Sequence, residues 1–159
     1  MIKVFLSHQS ADSATAAIIA RRLEAHHGIV SYLDVIDPFI QRGEDLAAHI
    51  RYEMGRCTQL LAIVSEATKA SQWVPWEIGV ATEKSYPLAT FLAGYATPPE
   101  FLRKWPYLRT DAEIDLYART SKAAEQTFVR KRAGSLNEAA ARVSSTGEFF
   151  ATLRAGLGQ

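Results

Sequence analysis

Cysteine is almost missing from this sequence. Cys57 stands alone among 159 residues, so an internal disulfide is excluded and no thiolate set exists to frame a metal. A lone thiol suits a reducing compartment, and the expected location is cytoplasmic. An excess of charge of one sign is missing too. The 18 Lys and Arg offset 17 Asp and Glu to a formal net charge of +1, without long blocks of either sign. Neither nucleic acid nor an anionic membrane surface is an expected partner of so balanced a chain. No apolar run approaches the ~20 residues of a membrane-spanning helix. The apolar opening, residues 2–6, meets Ser7 and His8 too soon to be a signal peptide. The phosphate-loop pattern Gly-x-x-x-x-Gly-Lys and the dinucleotide pattern Gly-x-Gly-x-x-Gly do not occur, which disfavours triphosphate hydrolysis and ordinary dehydrogenase chemistry. His26 and His27 lack companion ligands at zinc spacing, so no metal is expected. Internal repeats and low-complexity segments are also missing.

What is present is an ordinary globular mixture, 48% hydrophobic and 22% charged, at a length that fits one domain spanning 1–159 on the scale of ~100–200 residues per domain. Residues 2–6 are an apolar run of the kind buried on both faces of a parallel sheet. Asp12 or Ser13 then caps a helix through about His27, with Ala16, Ile19, Ala20 and Leu23 at helical spacing and Gly28 ending it. Residues 29–35 form a second strand. A loop from 36 to 43 leads to a helix over 44–56 with Leu46 and Ile50 inward. Residues 58–64 are the strongest strand pattern in the chain. A polar loop follows from Ser65 to Ser71, then a short helix over 73–84 that tolerates Pro75 only in its first turn. A fourth strand covers 88–93, and Tyr107 and Leu108 begin a short edge strand. Residues 111–132 are helical, and a last helix starts near Asn137 or Thr146.

Strands alternating with crossover helices make a parallel, doubly wound sheet, because the crossovers are right-handed. At this length the expected order is 2-1-3-4-5, the flavodoxin-like α/β arrangement. Ligands of such sheets lie beyond the carboxyl ends of the strands where the winding reverses. Here that is between the loop at 7–10 and the loop at 65–77.

The second loop carries two tryptophans and a carboxylate, Trp73, Trp76 and Glu77, at the opening of a helix. Trp73 and Glu77 share a helical face at a spacing of four. An indole face can stack on a flat ring, and a carboxylate can grip sugar hydroxyls or stabilise positive charge. The same residues equally serve a packed core, with Glu77 merely favouring the helix N-terminus. Ser7, His8 and Ser65 line the expected crevice, where hydroxyls and backbone amides can bind phosphate or ribose. His8 could act as a base, although a loop histidine more often bonds to its neighbours. Asp34 ends the second strand and could simply cap the next loop. Glu83, six residues beyond Glu77, falls off its face. Arg130, Lys131 and Arg132 are a solvated helix surface.

Val4-Phe5-Leu6-Ser7-His8, followed by Ser10 and Asp12, resembles the opening motif of bacterial TIR domains. Asp34 through Gly43-Glu44-Asp45-Leu46 is similar to the TIR BB loop and the start of the helix after it. Leu61-Ala62-Ile63-Val64-Ser65 with Trp73-x-x-x-Glu77 is similar to that family's third strand and catalytic helix. The resemblance covers roughly residues 2–93; beyond 95 the chain does not align. It implies a TIR fold in which Glu77 is the catalytic glutamate cleaving the nicotinamide–ribose bond of NAD⁺. Ser7, His8, Asp34, Ser65, Trp73 and Trp76 are then substrate-binding. NAD⁺ is the substrate and no cofactor is needed. The products are nicotinamide with ADP-ribose or a cyclic isomer. A freestanding chain of this size resembles the sensor enzymes of Thoeris-type antiphage systems, whose product would activate a separate effector. The BB-like loop is a little longer than in compact bacterial relatives. Its residues Ile36, Phe39, Ile40, Arg42 and Gly43 are the expected contact with a second copy, since apolar side chains on a surface loop call for a partner. Two other readings stand beside this one: a non-catalytic TIR adaptor, and a nucleoside deoxyribosyltransferase-like enzyme.

Overall fold

The structure, a computed structural model, describes residues 1–33, 43–94, 97–134 and 137–159. Five strands form one parallel sheet: β1 (Lys3–Ser7), β2 (Val30–Leu33), β3 (Gln59–Val64), β4 (Leu88–Leu92) and β5 (Tyr107–Leu108). Their spatial order is β2-β1-β3-β4-β5, and every neighbouring pair is parallel. The expected doubly wound α/β topology is therefore the observed one. Five α-helices accompany the sheet: α1 (Ser13–His27), α2 (Gly43–Gly55), α3 (Trp73–Glu83), α4 (Asp111–Gly134) and α5 (Glu138–Leu157).

Each strand sends alternate side chains to opposite faces. Val4 and Leu6 of β1, with Leu61 and Ile63 of β3, meet Ala16, Ile19 and Leu23 of α1. The same core takes in Tyr117 of α4 and Phe149 and Leu153 of α5. Phe5, Leu60, Ala62 and Val64 face the other way, against Ile50 and Met54 of α2 and Val74, Ile78 and Ala81 of α3. All six residues of β3 are buried, which is why Leu60 to Val64 is an unbroken apolar run rather than an alternation. Helices α1, α4 and α5 thus cover one face, and α2 and α3 the other. Cys57 is buried with the second group, and burial pushes its thiol up to about 11, so it stays protonated at neutral pH.

Helix ends follow local chemistry. Gly28 closes α1 at φ 61, the left-handed position that glycine takes without strain. The Asn137 side chain accepts the Ala140 N–H and opens α5 there rather than at Thr146. The polar segment after Ser65 is a 3-10 helix, Glu66–Ala70, not a loop. Ser65 and Thr68 close it reciprocally, each side chain taking a backbone N–H of the other's end. A further short 3-10 helix, Glu100–Lys104, leads into β5. The edge of β5 is met by a side chain: Gln159 Nε2 donates to the Tyr107 carbonyl at 2.7 Å, and its Oε1 accepts the Tyr107 N–H at 3.1 Å.

Charged groups tie the helices of the first face together. Arg22 of α1 grips Asp115 of α4 with two bonds, at 2.9 and 2.7 Å, and reaches Asp111 at 2.9 Å. His27 Nε2 meets the same Asp115 at 2.8 Å. Lys131, within the basic run expected to be solvated, lies at the surface and bonds there to Ser144 at 2.6 Å and to Glu148, joining α4 to α5.

Two expectations follow. Hydrogen bonds from Arg22 and His27 hold the Asp115 carboxyl well below its ordinary 3.8. A depressed carboxylate stabilises the fold above its unfolded value, and that contribution is lost as pH falls below it. Asp115→Asn should lower stability at pH 7 by about 1–2 kcal/mol. Urea titrations at pH 7 and pH 3 should show a smaller loss on acidification than in the parent; an equal loss would assign the acid sensitivity to other groups. Thr90 is fully buried on β4, and its hydroxyl has no hydrogen-bond partner among the described residues. Thr90→Val keeps the shape and removes the unmet group, so thermal unfolding should show stability unchanged or raised by up to about 1 kcal/mol.

Candidate active site

The sheet reverses its winding at the carboxyl ends of β1 and β3, the place where ligands of such sheets bind. Ser7 is the last residue of β1 and shares the face of Phe5, the face covered by α3. Helix α3 begins at Trp73 after Gln72, and the Ser71 hydroxyl accepts the Val74 N–H at 3.1 Å to satisfy one of its first amides. Pro75 falls in the opening turn, where no backbone donor is missed. One turn after Trp73, Glu77 points back onto the sheet. There the Ser7 hydroxyl donates to Glu77 Oε2, and the carboxylate is only 1% exposed. Glu77 therefore lies beyond the first turn of α3, and α3 has no acidic residue in that turn. The expectation that the helix N-terminus holds this carboxylate gives way to a bond from the neighbouring strand, because end effects fade within one turn.

A second carboxylate joins the segments that follow β1 and β3. Asp12, 7% exposed, accepts a 2.7 Å hydrogen bond from the Ser65 hydroxyl. Asp12 occupies the N-cap position of α1, yet its side chain makes no capping bond there. It is spent instead on the loop after β3. The Ser65 oxygen is also the acceptor of the Ala67 N–H at 3.1 Å. The loop after β1 is thus fastened to the loop after β3. By sequence Asp12 reads only as a cap and a motif residue; the short polar spacing Ser10-x-Asp12 after a buried strand is the available signal.

The other expected residues are distributed as follows. His8 is half-buried, and its Nδ1–H donates to the Leu6 carbonyl at 2.9 Å. In the neutral ring that leaves Nε2 as the acceptor nitrogen. Trp73 and Trp76 pack edge to face, centroids 5.7 Å apart at 88°, and both rest against the core on the α2–α3 side. Trp76 also lines an open groove of about 460 Å³ between α2 and α3 with Arg51 and Glu83. Ser7 and Glu77 are brought together, as are Ser65 and Asp12. Asp34, Ile36, Phe39, Ile40 and Arg42 lie outside the described residues, and Gly43 opens α2. Among the described residues, no group of three His, Cys, Asp or Glu is arranged to hold a metal ion, and no helix is long and apolar enough to cross a membrane.

The TIR domain family model matches residues 4–132. The chain belongs to the TIR domain family. That membership sets aside the deoxyribosyltransferase-like alternative. The TIR domains of the activated Roq1 resistosome, which directly recognizes the pathogen effector XopQ, are similar at 17% identity and a TM-score of 0.48, covering 99% of this chain and 98% of theirs. No curated protein matches.

The Asp12–Ser65 bond carries a prediction of its own. Removing the acceptor in Asp12→Ala should cost about 1–3 kcal/mol. It should also speed amide hydrogen exchange at 8–12 and 66–71, whereas Asp12→Asn, which keeps an acceptor oxygen, should retain most of the protection. Equal exchange in parent and Asp12→Ala would show that the two loops are held by other contacts.

Proposed function

We propose that this TIR domain cleaves the bond between nicotinamide and ribose in NAD⁺. The observation that carries the reading is the buried carboxylate of Glu77 at the switch point of the sheet, held by Ser7 and placed one turn after an indole. NAD⁺ is the substrate in this reading, not a resident cofactor.

As nicotinamide departs, positive charge develops on the ribosyl centre. A carboxylate beside it stabilises that charge, more strongly in a site screened from water than in solvent. Nicotinamide leaves as a neutral group, so no strong acid is required, and a site with one carboxylate at the reacting end suffices. Glu77 would also accept hydrogen bonds from the ribose hydroxyls. The Ser7 hydroxyl makes the bond to Oε2, and a ribose hydroxyl would take its place on binding. The indole of Trp73 offers a face for a flat ring. His8 Nε2, an acceptor in the neutral ring, is available to a ribose hydroxyl. The ribosyl centre is then captured by water, giving ADP-ribose, or by an atom of the same molecule, giving a cyclic isomer; water exclusion selects between them. The product would then be a signal to a separate effector in antiphage defence, with a neighbouring copy completing the site through residues 36–43.

The adaptor reading draws on the same burial. A carboxylate 1% exposed and bonded to Ser7 could serve only to join α3 to β1, leaving docking as the domain's activity.

Purified protein incubated with NAD⁺ at low and high protein concentration, with products separated chromatographically, decides between them. Nicotinamide release should rise more than linearly with protein concentration. It should fall by about 100-fold or more in Glu77→Gln, a variant that keeps the shape of the side chain and its bond with Ser7. Turnover unaffected by Glu77→Gln would remove Glu77 from the chemistry. Absence of turnover at every concentration, in a folded protein, would favour the adaptor.

A further inference from the structure

Helix α3 carries Glu77 near its start, and at its far end it borders a second concavity. This cavity, about 240 Å³, is walled by Tyr86, Trp105 and Phe150 and lies between the end of α3, the segment before β5, and α5. Two residues lining it run against local backbone preference, in opposite directions. Helices α1 and α5 both end on a left-handed glycine, Gly28 and Gly158. Helix α3 ends in the same type of turn, with the Tyr86 N–H bonded to the Ala81 carbonyl at 3.0 Å, but the left-handed residue there is Ser85, at φ 54. Among the described residues it is the only non-glycine with positive φ, and its strain is supported by Thr146, whose hydroxyl donates to the Ser85 carbonyl at 2.8 Å.

The converse holds across the cavity. Gly147 lies within α5, where glycine weakens a helix. A Cβ at that position would meet nothing within 4 Å, so close packing does not require glycine. Glycine there leaves that side of the concavity without a side chain. A hydroxyl-bearing residue stands where glycine is expected, and glycine where a side chain is expected, on the two sides of one space. Departures from local preference of this kind concentrate at functional sites.

The lining also limits the chemistry of the occupant. Its single charged residue is Lys104, whose ammonium stands 5.7 Å from the Trp105 ring centroid. No carboxylate lines the cavity. We infer that this is a binding site for a small flat aromatic anion, its ring held among Tyr86, Trp105 and Phe150 and its acidic group at Lys104. The volume suits one or two fused rings with a short acidic arm rather than a larger ligand. The inference is independent of NAD⁺ cleavage and stands whether or not Glu77 is catalytic.

The test uses the whole chain labelled with ¹⁵N and indole-3-acetate as the probe. The chain has 3 tryptophans, Trp73, Trp76 and Trp105, so each indole N–H can be followed separately. The Trp105 signal should shift saturably while those of Trp73 and Trp76 stay in place. Indole-3-acetamide, which lacks the charge, should bind about fivefold more weakly or worse, and Lys104→Met, a change at an exposed side chain, should weaken the acid by a similar factor. Gly147→Leu, which fills the space, should abolish the shift without lowering the melting temperature. A Trp105 signal that does not saturate at millimolar probe, or a shift that survives Gly147→Leu, would overturn the site. Equal binding of acid and amide would overturn its anionic character.

Discussion

A carboxylate withdrawn from water has to be met by hydrogen-bond donors, and Glu77 lies 1% exposed between α3 and the sheet. The Ser7 hydroxyl is a donor that fixes this position, and much of the arrangement at the end of the sheet depends on that bond. It sets the end of β1 against the second turn of α3. Trp73, four residues earlier in the helix, lies on the same side. The bond also requires that β1 and β3 be neighbours, so that the loop after β3 can deliver α3 over the end of β1. The Asp12–Ser65 bond does the complementary task on the other side of the reversal, fastening the loop after β1 to the loop after β3. Two side-chain bonds, each joining segments more than fifty residues apart in sequence, therefore span the point where the winding changes direction.

Most of the architecture was legible because burial on two faces leaves a plain mark. The run from Gln59 to Val64 has no polar interruption after its first residue, and it is the strand flanked by β1 and β4. Gly28 and the helical spacing of Ala16, Ile19 and Leu23 gave α1 to within a residue. The short pieces were harder. The 3-10 helix after Ser65 is closed by a Ser-x-x-Thr pair, where a Ser-x-x-Glu pattern would have been easier to notice. At the site, Glu77 and Ser7 were both visible as candidates, but their bond was not. Side-chain direction at the last residue of a strand depends on register, and register is a property of the assembled sheet. Asp12 was misjudged for a related reason. Its position before a helix argues for capping, and only the folded arrangement shows that Ser65 competes for it and wins.

The two faces of the sheet carry different burdens. On the side of α2 and α3 the core is joined to the crevice: Val74, Ile78 and Ala81 bury the same helix that presents Trp73 and Glu77. On the opposite side, α1, α4 and α5 form a bracing layer, with Arg22, His27 and Asp115 linking α1 to α4 and Lys131 linking α4 to α5. Phe149 and Leu153 of α5 lie in the same apolar cluster as Val4 and Leu6. The last helix thus shares the core on which β1, and with it Ser7, is seated.

The Gln159 amide on Tyr107 has a consequence for how copies of this domain can meet. A parallel sheet ends in strands whose outward N–H and C=O groups invite further strands, and proteins that must stay discrete blunt such edges. At β5 one side-chain amide takes both main-chain groups of Tyr107, imitating the next strand over a single residue. With β5 only two residues long, little ladder remains for another chain to extend. Growth of the sheet from one molecule into the next is closed off on this side, which leaves helices and loops as the surfaces through which association here would have to proceed.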